Sequence, residues 1–397
     1  CNMIRIDMKP GTYDFRTCEP FGMQYLKIAC VSGKVDVLDV NLVAIVCPEK
    51  ITASYTGSDP ATAKIFGAAK QSFMQNSVDI FMDCPTRERA GWLCDSFFTA
   101  RSERFFTGKN DIEHNFLENF LLAEHYPNVP DGMLPMCYPS DHYDGNYIPN
   151  WAMWFVLELE DRQKRTGDKA FTVPYKEKVY RLLNLFKNYE NKDGLLEKLE
   201  AWVFLEWSKA NELTQDINFP SNMLYAKTLL AAAHLFDDAA LEAKANALFD
   251  VIRARSFDGS FFRDNEVYNI DGIPVSPGER TETCQYYAFF TGTATPETYP
   301  ELWHTLITDF GPKRAEKGLY PEIYPANAFI GNYLRLMLLD ENGLYEKLIE
   351  ESKDYFLYMA ERTGTLWENT GDYASCNHGF ASYAAPMLIR AEENLKK

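Results

Sequence analysis

Asp83-Cys84-Pro85-Thr86-Arg87-Glu88-Arg89-Ala90-Gly91-Trp92-Leu93-Cys94-Asp95 lies where one segment of helical period, 60–78, gives way to the next, 93–107. A run with Pro and Gly-Trp, crowded with charge and set directly after the apolar Ile80-Phe81-Met82, reads as a loop between two helices that enters a pocket. The same alternation continues down the chain. Segments of 3.6-type periodicity fall near 111–124, 150–166, 172–190, 220–235, 238–255, 280–292, 297–309, 325–339, 342–360 and 377–396. About twelve helices make six helical hairpins, and no strand runs between them could form a parallel sheet. The fold class that closes such a set is mainly α: a toroid of six inner and six outer helices, the (α/α)6 barrel.

Upstream the pattern differs. Met23–Val31 and Val35–Val40 alternate and are rich in β-branched residues, joined by the turn Ser32-Gly33-Lys34 and extended by Asn41–Val46. Three or four strands are too few to stand alone. Residues 1–58 are therefore expected to be part of a β-sandwich whose other strands lie outside this chain, with the helical barrel spanning 59–397.

Bulk properties narrow the chemistry. The 397 residues exceed a usual single core, and 46% apolar with 24% charged residues is a globular composition. A net charge of −17 argues against nucleic acid or an anionic membrane as the main partner, because both require clustered Lys and Arg. No apolar run reaches the roughly 18 residues of a membrane helix. The start at Cys1, without the n-region and h-region of a signal peptide, reads as a cut chain rather than a lipoprotein. Both a periplasmic and a cytoplasmic bacterial setting fit, and no motif bears on oligomeric state. Nine scattered cysteines without a C-x-x-C pair, and six histidines without metal-ligand spacing, read as buried thiols and no metal site. No cofactor is expected.

The chemistry concentrates in two places. Residues 83–95 hold three carboxylates, two guanidinium groups and a tryptophan. A carboxylic acid held among other carboxylates has its proton affinity raised, which suits a proton donor at neutral pH. The plainer reading is a solvated charge cluster at a helix start. Far downstream, residues 363–380 place Glu368 after Trp367 and His378 beyond a small-residue loop. A Trp-Glu pair alone is a weak signal, but it supplies the second carboxylate that glycoside hydrolysis requires. Glu88 and Glu368 are 280 residues apart, so only a closed fold brings them face to face. The long aromatic loops 126–149, 192–219, 256–279 and 361–376 are candidates for pocket walls, with at least one of Trp151, Trp202 and Trp207 expected in the pocket.

With these residues in view, the sequence resembles the bacterial α-L-rhamnosidases of glycoside hydrolase family 78 over roughly residues 10–395. The resemblance is carried by Asp83-Cys84-Pro85, Arg87-Glu88-Arg89, Gly91-Trp92 and Asp95, then by Trp367-Glu368 and Asn377-His378. It implies a six-hairpin barrel preceded by β-sandwich material. It implies Glu88 as general acid and Glu368 as general base of an inverting hydrolysis. Asp83, Arg87 and Asp95 match sugar-contacting positions, and Trp92 and His378 also fall on matching positions. Ile148-Pro149-Asn150-Trp151 is similar to a pocket-wall segment, and Glu206-Trp207 is a looser match to another. Three departures stand out: Thr86 directly before Arg87, Cys94 where the family has Gly, and an unusual loop after Glu368. The family's C-terminal β-domain has no counterpart within these residues.

The resemblance implies a carbohydrate partner: a terminal α-L-rhamnoside, with Glu88 kept protonated by Asp83 and Asp95. Inversion requires carboxyls about 6.5–9.5 Å apart, against about 5–5.5 Å for retention. The rivals are a glycosidase of different sugar specificity on the same barrel and a non-catalytic carbohydrate-binding paralogue. A polysaccharide lyase would need a Tyr or His base and cations for a uronate, from which the acidic cluster points away.

Overall fold

The computed structural model describes residues 3–23, 25–140, 142 and 144–397 of the chain. Cys1, Gln24 in the expected first strand, and Asp141 and Tyr143 in the expected pocket loop lie outside the described residues.

Twelve helices of nine residues or more are present among the described residues. They are α1 (Pro60–Asn76), α2 (Asp95–Thr107), α3 (Asp111–Leu122), α4 (Pro149–Thr166), α5 (Lys176–Phe186) and α6 (Phe219–Phe236). The remainder are α7 (Ala239–Ser256), α8 (Glu282–Thr291), α9 (Pro300–Thr308), α10 (Tyr333–Glu341), α11 (Tyr345–Thr363) and α12 (Ala384–Asn394). The even-numbered helices pack in sequence, α2 on α4, α4 on α6, and so on to α12, which returns to α2 and closes the ring. Their burial explains their place. Every residue from Pro149 to Glu160 in α4, and from Tyr333 to Asp340 in α10, is buried, as suits helices enclosed on all sides. The odd-numbered helices bury one stripe only, such as Val179, Leu182, Leu183 and Phe186 of α5, and form the outer layer.

Local signals set the starts. Asp59 caps α1 by accepting from Ala61 N at 3.0 Å, with Pro60 at the first position, and Asn218 caps α6 by accepting from Ser221 N at 2.8 Å. A small antiparallel sheet pairs β1 (Ile217–Asn218) with β2 (Asn265–Tyr268), and β2 with β3 (Pro274–Val275), at the end where α6 begins.

Three expectations are corrected. The helix expected over 325–339 starts only at Tyr333, because Ala328–Asn332 form one irregular wide turn in which Phe329 is extended at φ −110° and ψ 103°. Likewise the last helix begins at Ala384 after a short 3-10 turn, Phe380–Tyr383, rather than at 377. The N-terminal strands expected over 23–46 do not form among the described residues. Among the described residues 3–58 there is neither helix nor strand, and Val31 and Leu38 are 97% and 82% exposed. An apolar ribbon without a second sheet to cover it gains nothing from pairing that would offset its ordering. Residues 47–58, by contrast, lie against the barrel: Cys47 N donates to Met74 O and Thr52 N to Phe106 O, each at 2.7 Å.

The cysteines other than Cys1 are free thiols, six of them at least partly buried. No described helix is long and apolar enough to cross a membrane. Among the described residues no group of three or more His, Cys, Asp or Glu side chains is arranged to hold a metal ion.

Candidate active site

The loops that lead into inner helices gather at one end of the ring. The α1–α2 loop brings Asp83, Arg87, Glu88 and Trp92; the α5–α6 loop brings Trp207; the α11–α12 loop brings Glu368 and His378. Their meeting depends on close backbone approach. A Cβ at Gly379 would lie 2.5 Å from Met82 O, and Gly379 N donates to Asp83 O at 2.8 Å, joining the first loop to the last. A Cβ at Gly91 would lie 2.4 Å from Tyr138 O; here residues 91–93 pair with 136–139 through Tyr138 N to Gly91 O and Leu93 N to Met136 O. Cys94, where the family carries Gly, sits at φ 71°, a backbone that favours glycine and costs another residue on the order of 1 kcal/mol.

One guanidinium joins the two glutamates. Arg87 Nε lies 2.7 Å from Glu88 Oε1, and Arg87 Nη2 lies 3.4 Å from Glu368 Oε2. Neighbouring guanidinium nitrogens are about 2.3 Å apart, so the nearest oxygens of Glu88 and Glu368 are within about 8.5 Å of each other. The two residues are held differently. Glu368 is buried: Oε1 accepts from Trp207 Nε1 at 2.9 Å, Oε2 accepts from Ser375 N at 3.2 Å, and His378 Nε2 stands 3.8 Å away. Glu88 is a quarter exposed, and its charged partner is Arg87, itself half exposed.

The carboxyls that burial raises are the aspartates. Asp83 is pushed up to about 6, mainly by burial and then by the nearby charge of Glu88, while its Oδ1 accepts from Ala90 N at 3.0 Å. Asp95, the first residue of α2, is driven well above the usual carboxylate range by burial, with Asp83 and Glu368 adding to it. Burial also holds His378 down to about 4. His378 is therefore uncharged near neutral pH, so the 3.3 Å approach of Asp95 Oδ1 to His378 Nδ1 is not an ion pair. The expected acidic neighbourhood of Glu88 is therefore present, yet a cation rather than a carboxylate touches it.

The expected site residues divide into those at the glutamates and those behind them. Asp83, Arg87, Asp95, Trp207 and His378 surround Glu88 and Glu368. Trp92 lies at the edge, half-buried, with its ring edge-on to His142 at 5.6 Å. Trp151 is 2% exposed and packs edge-on to Phe204 at 4.9 Å and to Phe329 at 5.8 Å. Trp202 and Phe204 back the exposed Trp207 ring at 5.9 and 4.8 Å. Sequence reading missed Ser375, Phe329 and Asn327. Asn327 and Phe329 fell inside an apolar run that resembles a helix, and Ser375 meets Glu368 through its backbone, its N–H donating to Oε2 and its carbonyl accepting from Glu368 N at 2.9 Å. A surface cavity of about 100 Å³, lined by His125, Tyr126, Asp131, Lys178 and Arg181 among others, borders none of the carboxyls of the site.

Known proteins share this fold. An alpha-L-rhamnosidase of Formosa agariphila is 22% identical over 195 residues, covering 47% of this chain and 20% of that protein. The GH78 family rhamnosidase of Bacillus sp. GL1 superposes with a TM-score of 0.73 at 20% identity, over 86% of this chain and 36% of that one. The rhamnosidase from Klebsiella oxytoca, solved with rhamnose bound, superposes with a TM-score of 0.68 at 18% identity, over 88% of this chain and 66% of that one. The chain thus spans about a fifth of the Formosa protein and about a third of the Bacillus one. The sequence pattern of the bacterial alpha-L-rhamnosidase six-hairpin glycosidase domain matches residues 50–262, more than half of the chain, and the chain belongs to that family.

Proposed function

We propose that this barrel removes terminal α-L-rhamnose from glycosides or polysaccharides by inverting hydrolysis, with Glu88 as general acid and Glu368 as general base. The observation that carries the reading is the shared guanidinium: it bounds the carboxyl separation at about 8.5 Å, compatible with the window for an intervening water. Glu368 has both oxygens engaged by donors, as suits a carboxylate that must stay oriented. In the reaction, Glu368 takes a proton from water as its oxygen bonds to the anomeric carbon. The glycosidic C–O bond breaks on the opposite face, and Glu88 delivers its proton to the departing oxygen. Arg87 lies between the glutamates in the free protein and is half exposed. Substrate entry would draw it onto ring hydroxyls and away from Glu88. Neutral His378 and the carboxyl of Asp95 beside it offer hydrogen bonds to an uncharged sugar. The exposed Trp207 ring offers an apolar face to the deoxy-sugar methyl.

The test is nitrophenol release from p-nitrophenyl α-L-rhamnopyranoside by the wild-type chain, Glu88→Gln and Glu368→Gln, with NMR of the first anomer formed. Turnover that falls in both variants, more in Glu368→Gln than in Glu88→Gln, with β-L-rhamnose appearing first, is the expected result. First release of the α anomer would replace inversion by retention, and unimpaired variants would overturn both assignments.

A further inference from the structure

The loop after Glu368, which departs from the family pattern, is tied to the Trp207 wall through one buried side chain. Asn327 is 8% exposed and stands at the start of the irregular turn Ala328–Asn332. Its Oδ1 accepts from Ala328 N at 2.6 Å, from Thr370 N at 3.1 Å and from Thr370 Oγ1 at 3.2 Å. Two backbone N–H donors on that atom define the orientation of the amide. Nδ2 is therefore the donor, reaching Trp207 O at 2.6 Å and Tyr373 Oη at 3.1 Å. Asn327 N donates to Glu206 Oε2 at 2.7 Å, and Trp207 N donates to Phe329 O at 3.3 Å. One amide thus grips the residue whose indole holds Glu368 Oε1 and, two residues past Glu368, the loop that bears it.

We propose that Asn327 is a positioning residue for Glu368: it fixes the Trp207 indole and the 370–373 loop so that the Glu368 carboxylate keeps one orientation. The proposal rests on the reading of Glu368 as the general base. It also explains why the helix begins late, since Asn327 spends its side chain between loops and its neighbour Phe329 turns its carbonyl to Trp207. Asn fits this role where other residues do not. The position needs an acceptor for two N–H groups and a donor for a carbonyl on one planar group. Asp would keep the acceptor and lose the donor.

The experiment compares the wild-type chain, Asn327→Asp, Asn327→Ala, Trp207→Phe and the Asn327→Asp/Trp207→Phe double variant on p-nitrophenyl α-L-rhamnopyranoside, with Glu368→Gln as reference and circular-dichroism melting of each. Asn327→Asp and Asn327→Ala are expected to lower kcat by about tenfold or more with KM within about threefold, because a small misplacement of a reacting group costs rate rather than binding. The double variant is expected to be no slower than its slower parent, since both changes release the same carboxylate. A near wild-type kcat in Asn327→Asp beside an inactive Glu368→Gln would overturn the proposal alone. So would a loss confined to KM, multiplicative losses in the double variant, or unfolding of both Asn327 variants. A near wild-type rate in Glu368→Gln would instead overturn the base assignment, and the proposal with it.

Discussion

The two loops that carry the glutamates meet at one point but are built on different terms. In the loop proposed to carry the base, Glu368 is buried and cross-linked: it has an indole N–H, a backbone N–H and a guanidinium on its two oxygens, and Thr370 is bound to Asn327. The loop proposed to carry the acid is anchored at its ends, where Asp83 N and Oδ1 meet Ala90 O and N, while the Glu88 carboxylate between them is partly exposed and paired with Arg87. The difference fits the role proposed for each. A base that aligns a water gains from rigidity, since orientation is worth more than any single contact. An acid that must meet leaving groups of varied shape, and regain its proton from solvent between turnovers, needs access.

The largest test of that contrast removes each carboxyl. Glu368→Gln should lower kcat on p-nitrophenyl α-L-rhamnopyranoside by about a thousandfold or more. Glu88→Gln should lose less on this substrate, because nitrophenolate leaves with little protonation, and as much on an alkyl rhamnoside. Equal losses of Glu88→Gln on both substrates would break the assignment of the acid. Next, Trp207→Phe keeps the ring and deletes the N–H on Glu368; a charged hydrogen bond of about 1.5–3 kcal/mol predicts a fall in kcat of about 10- to 100-fold. An unchanged rate would show that the indole does not orient the base.

A third test reads the acid loop through pH. The folded carboxyl of Asp83 is raised to about 6, chiefly by burial. A raised carboxyl contributes stability that is present below its unfolded value and is lost as pH rises through the folded value. Between about pH 5 and pH 8 that loss is on the order of 1 kcal/mol, and Asp83→Asn should not show it. Melting curves of both proteins at the two pH values check this. The buried carboxyls of Glu103, Glu158 and Glu206, each raised to about 8 mainly by burial, act with the same sign, so both proteins should melt lower above pH 8 than at pH 5. The smallest effect belongs to the outer tether of the acid loop. Arg89 Nη2 meets the exposed Glu19 Oε2 at 2.9 Å. Glu19→Ala should cost about 0.5 kcal/mol or less by denaturant titration and leave kcat within about twofold. A larger loss of activity would mean that residues near 19 help to hold Glu88.

The same contrast governs what could be read in advance. The α1–α2 loop announces itself because its chemistry is contiguous: Asp83 to Asp95 are thirteen residues with every functional group in the side chains. The surroundings of Glu368 are dispersed over Trp207, Asn327, Ser375 and His378, and one of these acts through its backbone alone. Asn327 and Phe329 carry no signal, since an apolar run after an asparagine has the period of a helix until a neighbouring loop takes its hydrogen bonds. Trp151 shows the opposite case: a ring expected at a pocket wall is buried behind Phe204 and Phe329, because an aromatic at the start of an inner helix serves a core and a cleft equally well.

The order and number of the helices, the mainly helical class and the loop rich in carboxylates are written into the sequence, because periodicity, caps and charge crowding are local properties of a chain. The N-terminal ribbon marks their reach. Residues 23–46 have the alternation of strands, but strand pairing depends on a covered face, and the described residues there form none. Closure of α12 onto α2, the meeting of glutamates 280 residues apart on one guanidinium, and the capture of the base loop by Asn327 belong to the tertiary structure alone. Each joins groups distant in sequence, and only the ring, in shutting, excludes the water that would otherwise satisfy them separately.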